Sequence, residues 1–269
     1  MKSTVKNKGG TLILFVLLSA LFFPRNACSQ PVVALDNWFN REIHPRTGIP
    51  YHYLWTDTEF SGYSEWGRIF KARGAVITTI EKPLRSVLND ADVYIIVDPD
   101  TTTESASPNY ILPEDIRVIK RWVRKGGVLA IFANDGPNCE FTHLNKLASK
   151  FGIRFNHVSL YPVTNNDWEM GAITNLPDHP LFRGVSKIYL KEISDMKLKR
   201  QARPVLTAGG RVLMAENDFG KGYVFAVGDP WLYNEYIDHA LLPESFENLK
   251  AAKNLTDLLL EKTGKKARE

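Results

Sequence analysis

The sequence predicts an α/β protein on a doubly wound, mainly parallel sheet, with an antiparallel extension in its C-terminal half. Three observations carry this. Short apolar runs alternate with helical patterns through the first half. The run Val93 to Val97 (VYIIV) is apolar throughout, as a strand covered on both faces must be. Beyond about Asn156 the helical patterns give way to short strands joined by glycine turns.

In chain order, Pro31 to Leu35 reads as a buried strand ending in Asp36-Asn37. A polar-aromatic loop spans His44 to Phe60, and a helix is expected from Tyr63 to Arg73, stopped by Gly74. Ala75 to Ile80 reads as the second strand and Leu84 to Asn89 as a short helix. Val93 to Val97 is the third strand, ending in Asp98-Pro99-Asp100. Pro113-Glu114-Asp115 opens a helix with proline and acids in its first turn, and Ile116, Ile119 and Val123 recur at helical spacing before Gly126-Gly127. Val128 to Phe132 is the fourth strand, ending in Asn134-Asp135, and Glu140 to Lys150 a further helix. Lys187 to Leu190, Pro204 to Leu206, Arg211 to Ala215 and Tyr223 to Val227 are the later strands, with hairpin signals at Gly209-Gly210 and Gly220-Lys221-Gly222. A last helix is expected over Glu244 to Lys262, with Phe246, Leu249, Ala252 and Leu259 on one face.

The N-terminus reads as a leader over residues 1–29. Lys2, Lys6 and Lys8 precede the apolar run Thr11 to Phe23, and Ala27-Cys28-Ser29 is a small-x-small cleavage pattern. The expectation is an exported, periplasmic or secreted protein with one domain over 30–262 and a frayed tail over 263–269; lipidation at Cys28 is the alternative. No other stretch is apolar and long enough to span a bilayer. The leader carries four basic residues and no acidic ones, so 30 Lys+Arg face 30 Asp+Glu in the remainder. A near-neutral domain offers no compositional support for nucleic-acid binding. Once Cys28 leaves, Cys139 stands alone and no internal disulfide can form.

In open parallel sheets, ligands bind outside the carboxyl ends of the strands. Four apolar runs end in polar groups: Asp36-Asn37, Asp98-Pro99-Asp100, Asn134-Asp135 and Gly228-Asp229-Pro230. Each alone reads equally as a turn or a cap; together they define one rim if their strands run the same way. The segment Trp231-Leu232-Tyr233-Asn234-Glu235-Tyr236 mixes flat apolar faces with hydrogen-bonding groups, as a sugar cleft requires, and the loop Tyr51 to Asp57, with His52 and Trp55, repeats the mixture. The alternative is that such aromatics plug the core. His52, between two tyrosines, is the preferred general acid/base. No histidine spacing resembles a zinc site, and neither metal nor cofactor is assigned; an aspartate-rich cation site at Asp36, Asp98 and Asp229 stays open as an alternative. Cys139 precedes a helix but lacks the flanking small residues of a nucleophile elbow.

The stretches VALDNWFN, YIIVDPDT, GVLAIFANDGPNCEFTHLNKLASKFGI, EMGAI, YLKEIS and VFAVGDPWLYNEYID resemble a Bacteroidetes family of exported, class I glutamine-amidotransferase-like domains. These occur alone or appended to family 105 glycoside hydrolases. The Cys-His-Glu pattern of true amidotransferases is missing, so glutamine hydrolysis is not implied. Standalone members are similar to the oligosaccharide dehydratases of ulvan breakdown. The resemblance therefore implies removal of water from a non-reducing-end glucuronic or iduronic acid, giving the 4,5-unsaturated uronyl residue that family 105 hydrolases consume.

On that expectation His52 and Tyr233 are base and acid in either order. Asn37, Asn134 and Asn234 are donors to the substrate carboxylate, while Asp98 and Asp229 orient hydroxyls or the histidine. Asp36, Trp55, Trp231 and Glu235 complete the expected substrate-binding set. A non-catalytic carbohydrate-binding accessory domain is the competing expectation.

Overall fold

The computed structural model describes residues 29–264; the expected leader, apart from Ser29, and residues 265–269 lie outside them. The chain runs β1 (Val32–Asp36), α1 (Ser64–Ala72), β2 (Val76–Ile80), β3 (Val93–Val97), α2 (Pro113–Arg124), β4 (Val128–Phe132) and α3 (Phe141–Ala148). There follow β5 (Ile153–Phe155), β6 (Ala172–Ile173), β7 (Ile188–Tyr189), β8 (Met196–Leu198), β9 (Arg203–Ala208), β10 (Arg211–Phe219), β11 (Gly222–Val227), α4 (Asn234–Ile237) and α5 (Asn248–Lys262).

The main sheet has the order β2-β1-β3-β4-β11-β10-β8-β5, with β9 also paired to β10. The five strands from β2 to β11 are mutually parallel, and β10, β9, β8 and β5 add the antiparallel extension. The period-2 alternation of strands explains the unbroken apolar runs. Val93, Ile95 and Val97 share one core with α1 and α5, and Tyr94 and Ile96 share the other with α2 and α3. Both faces of β3 are thus dry, and all five of its residues are buried.

Local chemistry sets the helix ends. Asp115 Oδ2 accepts the Leu112 N–H at 2.9 Å ahead of α2. Glu140 accepts the Thr142 and His143 N–H groups at 3.0 and 2.8 Å ahead of α3. Some boundaries move from the sequence expectation. The short helix over Leu84 to Asn89 is two successive 3₁₀ turns. The last helix begins at Asn248, because Pro243 to Phe246 close a turn in which the Phe246 N–H bonds the Pro243 carbonyl. Phe246 consequently packs with Tyr189, Tyr236 and Leu242, away from the Ala252 and Leu259 face. The strands β8 and β5, three residues each, are too short for periodicity to reveal.

The topology fixes where a ligand fits. From β1 the chain steps outward to β2 and then returns across β1 to β3, so consecutive connections leave on opposite sides. The crevice at such a reversal, outside the carboxyl ends of the strands, is the binding position of doubly wound sheets.

Candidate functional site

A cavity of about 260 Å³ opens at that crevice. Glu42, His52 and Tyr53 reach it from the segment after β1, Asp98 and Glu104 from the segment after β3, and Asn134 and Asn138 from that after β4. Asp229 and Tyr233 follow β11, and Lys191 and Glu192 come from the loop between β7 and β8. Larger clefts near β5, of about 390 and 450 Å³, have no carboxylate among their lining residues. Convergent titratable groups, rather than volume, single out the smaller one.

His52 is held from two sides. Its backbone N–H donates to Asp57 Oδ2 at 3.0 Å, and its Nδ1 lies 3.0 Å from Glu42 Oε1. With Nδ1–H donated to Glu42, Nε2 keeps its lone pair. The bridge between Ile43 and Pro50 folds the intervening loop back, which brings Glu42 and His52 together. Asp98 forms the floor: its Oδ2 accepts the Tyr53 hydroxyl and Asn134 Nδ2, both at 2.8 Å, while its buried Oδ1 has no hydrogen-bond partner. The Tyr53 and Tyr233 rings lie 5.7 Å apart.

Backbone strain concentrates here. His52 (φ 62°), Tyr53 (φ 51°), Asp98 (φ 40°) and Glu192 (φ 47°) are left-handed residues with side chains, and all four line the cavity. Such conformations cost of order 1–3 kcal/mol each and persist where the surroundings enforce them, most often at functional sites.

Burial sets the charges. It pushes the Asp98 carboxyl well above the usual carboxylate range, with the Glu104 charge adding to the effect. Asp229 is pushed up to about 7 by burial, against donation from the Lys191 and Trp231 N–H groups. The Tyr53 and Tyr233 phenols are raised well above their ordinary value by burial first, then by the charges of Asp98 and Asp229 respectively. Both are therefore donors at neutral pH. Burial and the nearby Asp98 charge push the Cys139 thiol up, which disfavours a thiolate nucleophile.

Of the residues singled out in the sequence, the cavity brings together His52, Tyr233, Asp98, Asn134 and Asp229. Asp36, Asn37, Trp55, Trp231, Asn234 and Glu235 are not among its lining residues. Asp36 accepts the N–H groups of Trp38, Phe39 and Asn40 and the Tyr94 hydroxyl, which makes it the cap of the turn after β1. Asn37 sits behind that turn, its Nδ2 3.4 Å from Glu81. Trp55 donates Nε1 to the Thr78 carbonyl and packs on Trp66 and Phe70, and Trp231 is wholly buried in the same core. Asn234 spends its amide on the Asp57 and Glu59 carbonyls and accepts the Glu65 N–H, fastening the Trp231–Tyr236 segment to the His52 loop. The Glu235 N–H bonds the Phe60 carbonyl in the same seam. These six serve the turn, core and seam contacts described rather than the cavity lining. The alternative cation trio Asp36, Asp98 and Asp229 does not assemble among the described residues; the carboxylates that meet are Glu42, Asp98 and Glu104. Glu42, Tyr53, Glu104, Asn138 and Glu192 were not anticipated as site residues. The signal within reach was the placement of Glu42 and Glu104 a few residues past strand-end aspartates.

The model of the family described as "Domain of unknown function (DUF4350)" matches residues 56–240. The chain belongs to that family. The match covers Asp98, Glu104, Asn134, Lys191, Asp229 and Tyr233, and begins after Glu42, His52 and Tyr53. No curated protein matches the chain in a sequence search. Among solved structures, the N-terminal domain of mmIFT52 superposes with TM-score 0.64 at 13% identity, covering 85% of this chain and 96% of its own. A cytoplasmic protein from Salmonella typhimurium LT2 gives 0.56 at 13%, covering 86% and 99%. A glutamine amidotransferase from Thermotoga maritima gives 0.48 at 14%, covering 87% and 99%. Together with the topology, the first two describe a mixed α/β fold on a large, mostly parallel sheet.

Proposed function

We propose that the chain is an exported carbon–oxygen lyase of class I glutamine-amidotransferase-like architecture, a dehydratase of oligosaccharides ending in glucuronic or iduronic acid. The observation that carries this reading is the His52–Glu42 pair set in one cavity with Tyr53 and Tyr233.

The chemistry needs one base, one acid and a polar cradle. His52, with Nδ1–H held by Glu42, takes the C5 proton on Nε2. The electrons released form the C4–C5 double bond, and the C4 hydroxyl leaves as water with a proton from Tyr233. This order uses Tyr233 as a hydroxyl donor and His52, whose Nδ1 is engaged by Glu42, as the acceptor. Proton transfer of this kind contributes ~10²–10⁴-fold. Further stabilisation must come from groups facing the enolate that develops beside the uronate carboxylate. Asn134, a neutral donor among the lining residues, would supply part of it. Product with a 4,5-unsaturated uronyl end would be the substrate of family 105 hydrolases.

The test is incubation of purified protein with saturated uronyl-rhamnose oligosaccharides, following ultraviolet absorbance of the conjugated product and its mass. The expected result is absorbance growing together with loss of one water. Oligosaccharide binding that survives His52→Ala, with no product from any uronate-ended chain, would instead make this a non-catalytic binding domain.

A further inference from the structure

The cavity has a charge problem. Five of its lining side chains are carboxylates (Glu42, Asp98, Glu104, Glu192 and Asp229), against Lys191 and His52. Lys191 Nζ is spent on Glu192 at 3.5 Å. Among the described residues no lysine or arginine pairs with Glu42, Asp98 or Glu104, and the one ion-pair partner within that trio is His52 on Glu42. Yet one oxygen from each lies within 4.8 Å of the others. Two of the three, Glu42 and Asp98, are almost fully buried.

Packing buried carboxylates this closely without a counter-charge is costly, and proteins resolve it with a proton or a cation. The placement of donors around the trio leaves room for a cation. Glu104 takes the Thr101 N–H and hydroxyl on Oε2 alone, both at 2.8 Å. Asp98 takes both its donors on Oδ2, leaving Oδ1 buried and unpartnered on a side chain only 2% exposed. A buried carboxylate with one oxygen lacking a donor, on a side chain that brings an oxygen within 4.8 Å of two further carboxylates, has the capacity a metal ligand needs.

We propose that Glu42, Asp98 and Glu104 bind one hard, oxygen-seeking divalent cation of the calcium, magnesium or manganese class. Three carboxylate oxygens without sulfur suit that class and disfavour zinc or copper. The strained backbone of Asp98 (φ 40°) holds its carboxylate at the meeting point of the β1 and β3 segments. Glu42 would join the cation to the His52 base. The role of the cation in catalysis rests on the dehydratase reading: it would bind the uronate carboxylate, turn a repulsive cavity into an attractive one, and neutralise the enolate. The site itself rests on the geometry alone.

The experiment is calorimetric titration of EDTA-stripped, dialysed full-length protein with Mn²⁺, Ca²⁺ and Mg²⁺, with Mn²⁺ electron paramagnetic resonance as a second readout. One equivalent should bind. Glu104→Gln, at the partly exposed position, should weaken binding at least tenfold without loss of fold by circular dichroism, and Asp98→Asn should do the same. No binding of any of the three ions at millimolar concentration, or Glu104→Gln and Asp98→Asn proteins that are folded and bind like wild type, overturns the site. The two readings separate cleanly. Stoichiometric metal without dehydration keeps the site and removes the lyase, whereas dehydration that is indifferent to EDTA in protein shown to bind the ion keeps the lyase and removes the cation's catalytic role.

Discussion

At the scale of single residues, identical sequence patterns acquire different jobs. Asp36 and Asp98 both end buried parallel strands. Asp36 meets three backbone N–H groups of its own turn, whereas Asp98 takes side-chain donors from Tyr53 and Asn134 and keeps one oxygen free. Which donors lie within reach is a matter of loop path, and no strand pattern encodes it. The same holds for Glu42 and Glu104, ordinary loop carboxylates until the fold brings them together. His52 was legible because a histidine between tyrosines in a polar loop is unusual; Trp55 and Trp231 look alike in sequence but serve the core. His52→Ala should lower turnover ~10²–10⁴-fold, with a thermal midpoint close to that of wild type because the side chain is partly exposed. Initial rates and a melting curve check both halves. Tyr233→Phe should give a loss of similar order, and full activity in that variant would remove it as the acid.

At the scale of elements, the cavity depends on two seams. Asn234 ties the segment after β11 to the loop that carries His52 through two carbonyls and one N–H. Asn234→Ala leaves those part-buried groups unpaired, at up to ~1–3 kcal/mol for each one kept from water. Urea unfolding should show the loss, and hydrogen exchange should report early opening of residues 51–62. The other seam is Gly228, where a Cβ would collide with the Ser194 backbone carbonyl. That contact presses the loop bearing Lys191 and Glu192 onto the end of β11, and the Ser194 N–H closes it on the Gly228 carbonyl at 3.0 Å. Gly228→Ala should cost about 1–3 kcal/mol, as overpacking does, with cavity function falling alongside stability; an unchanged midpoint would contradict the contact. Neither seam was readable in advance. The parallel strands, their order of appearance and the antiparallel extension were, because continuous apolar runs of five residues follow directly from two-sided burial.

At the scale of the whole molecule, buried acids tie stability to pH. Burial raises Asp36 from 3.8 to about 6, and Asp100 and Asp229 from 3.8 to about 7. The folded chain therefore holds protons that the unfolded chain has lost. This contribution is complete below the unfolded value near 3.8 and disappears as pH rises through 6 to 7. Glu216, lowered to about 2 chiefly by its bond to His179, acts in the opposite sense, and its contribution fades only in strong acid. The melting temperature should fall between about pH 5 and about pH 8, and a rising midpoint over that range would show these aspartates to be ionised in the folded state. The fold and the rim of strand ends were thus legible from the chain; the charge balance of the cavity emerged only in three dimensions.

The central claim is that His52 in this cavity removes a proton from a uronate-ended sugar. The most direct measurement is the initial rate of double-bond formation, by ultraviolet absorbance on saturated uronyl-rhamnose oligosaccharides, for wild type and His52→Ala side by side. Steady product is expected from wild type, with a loss of at least ~10²-fold in the variant. Equal rates in the two proteins, or no product from wild type on any uronate-ended oligosaccharide, would contradict that claim.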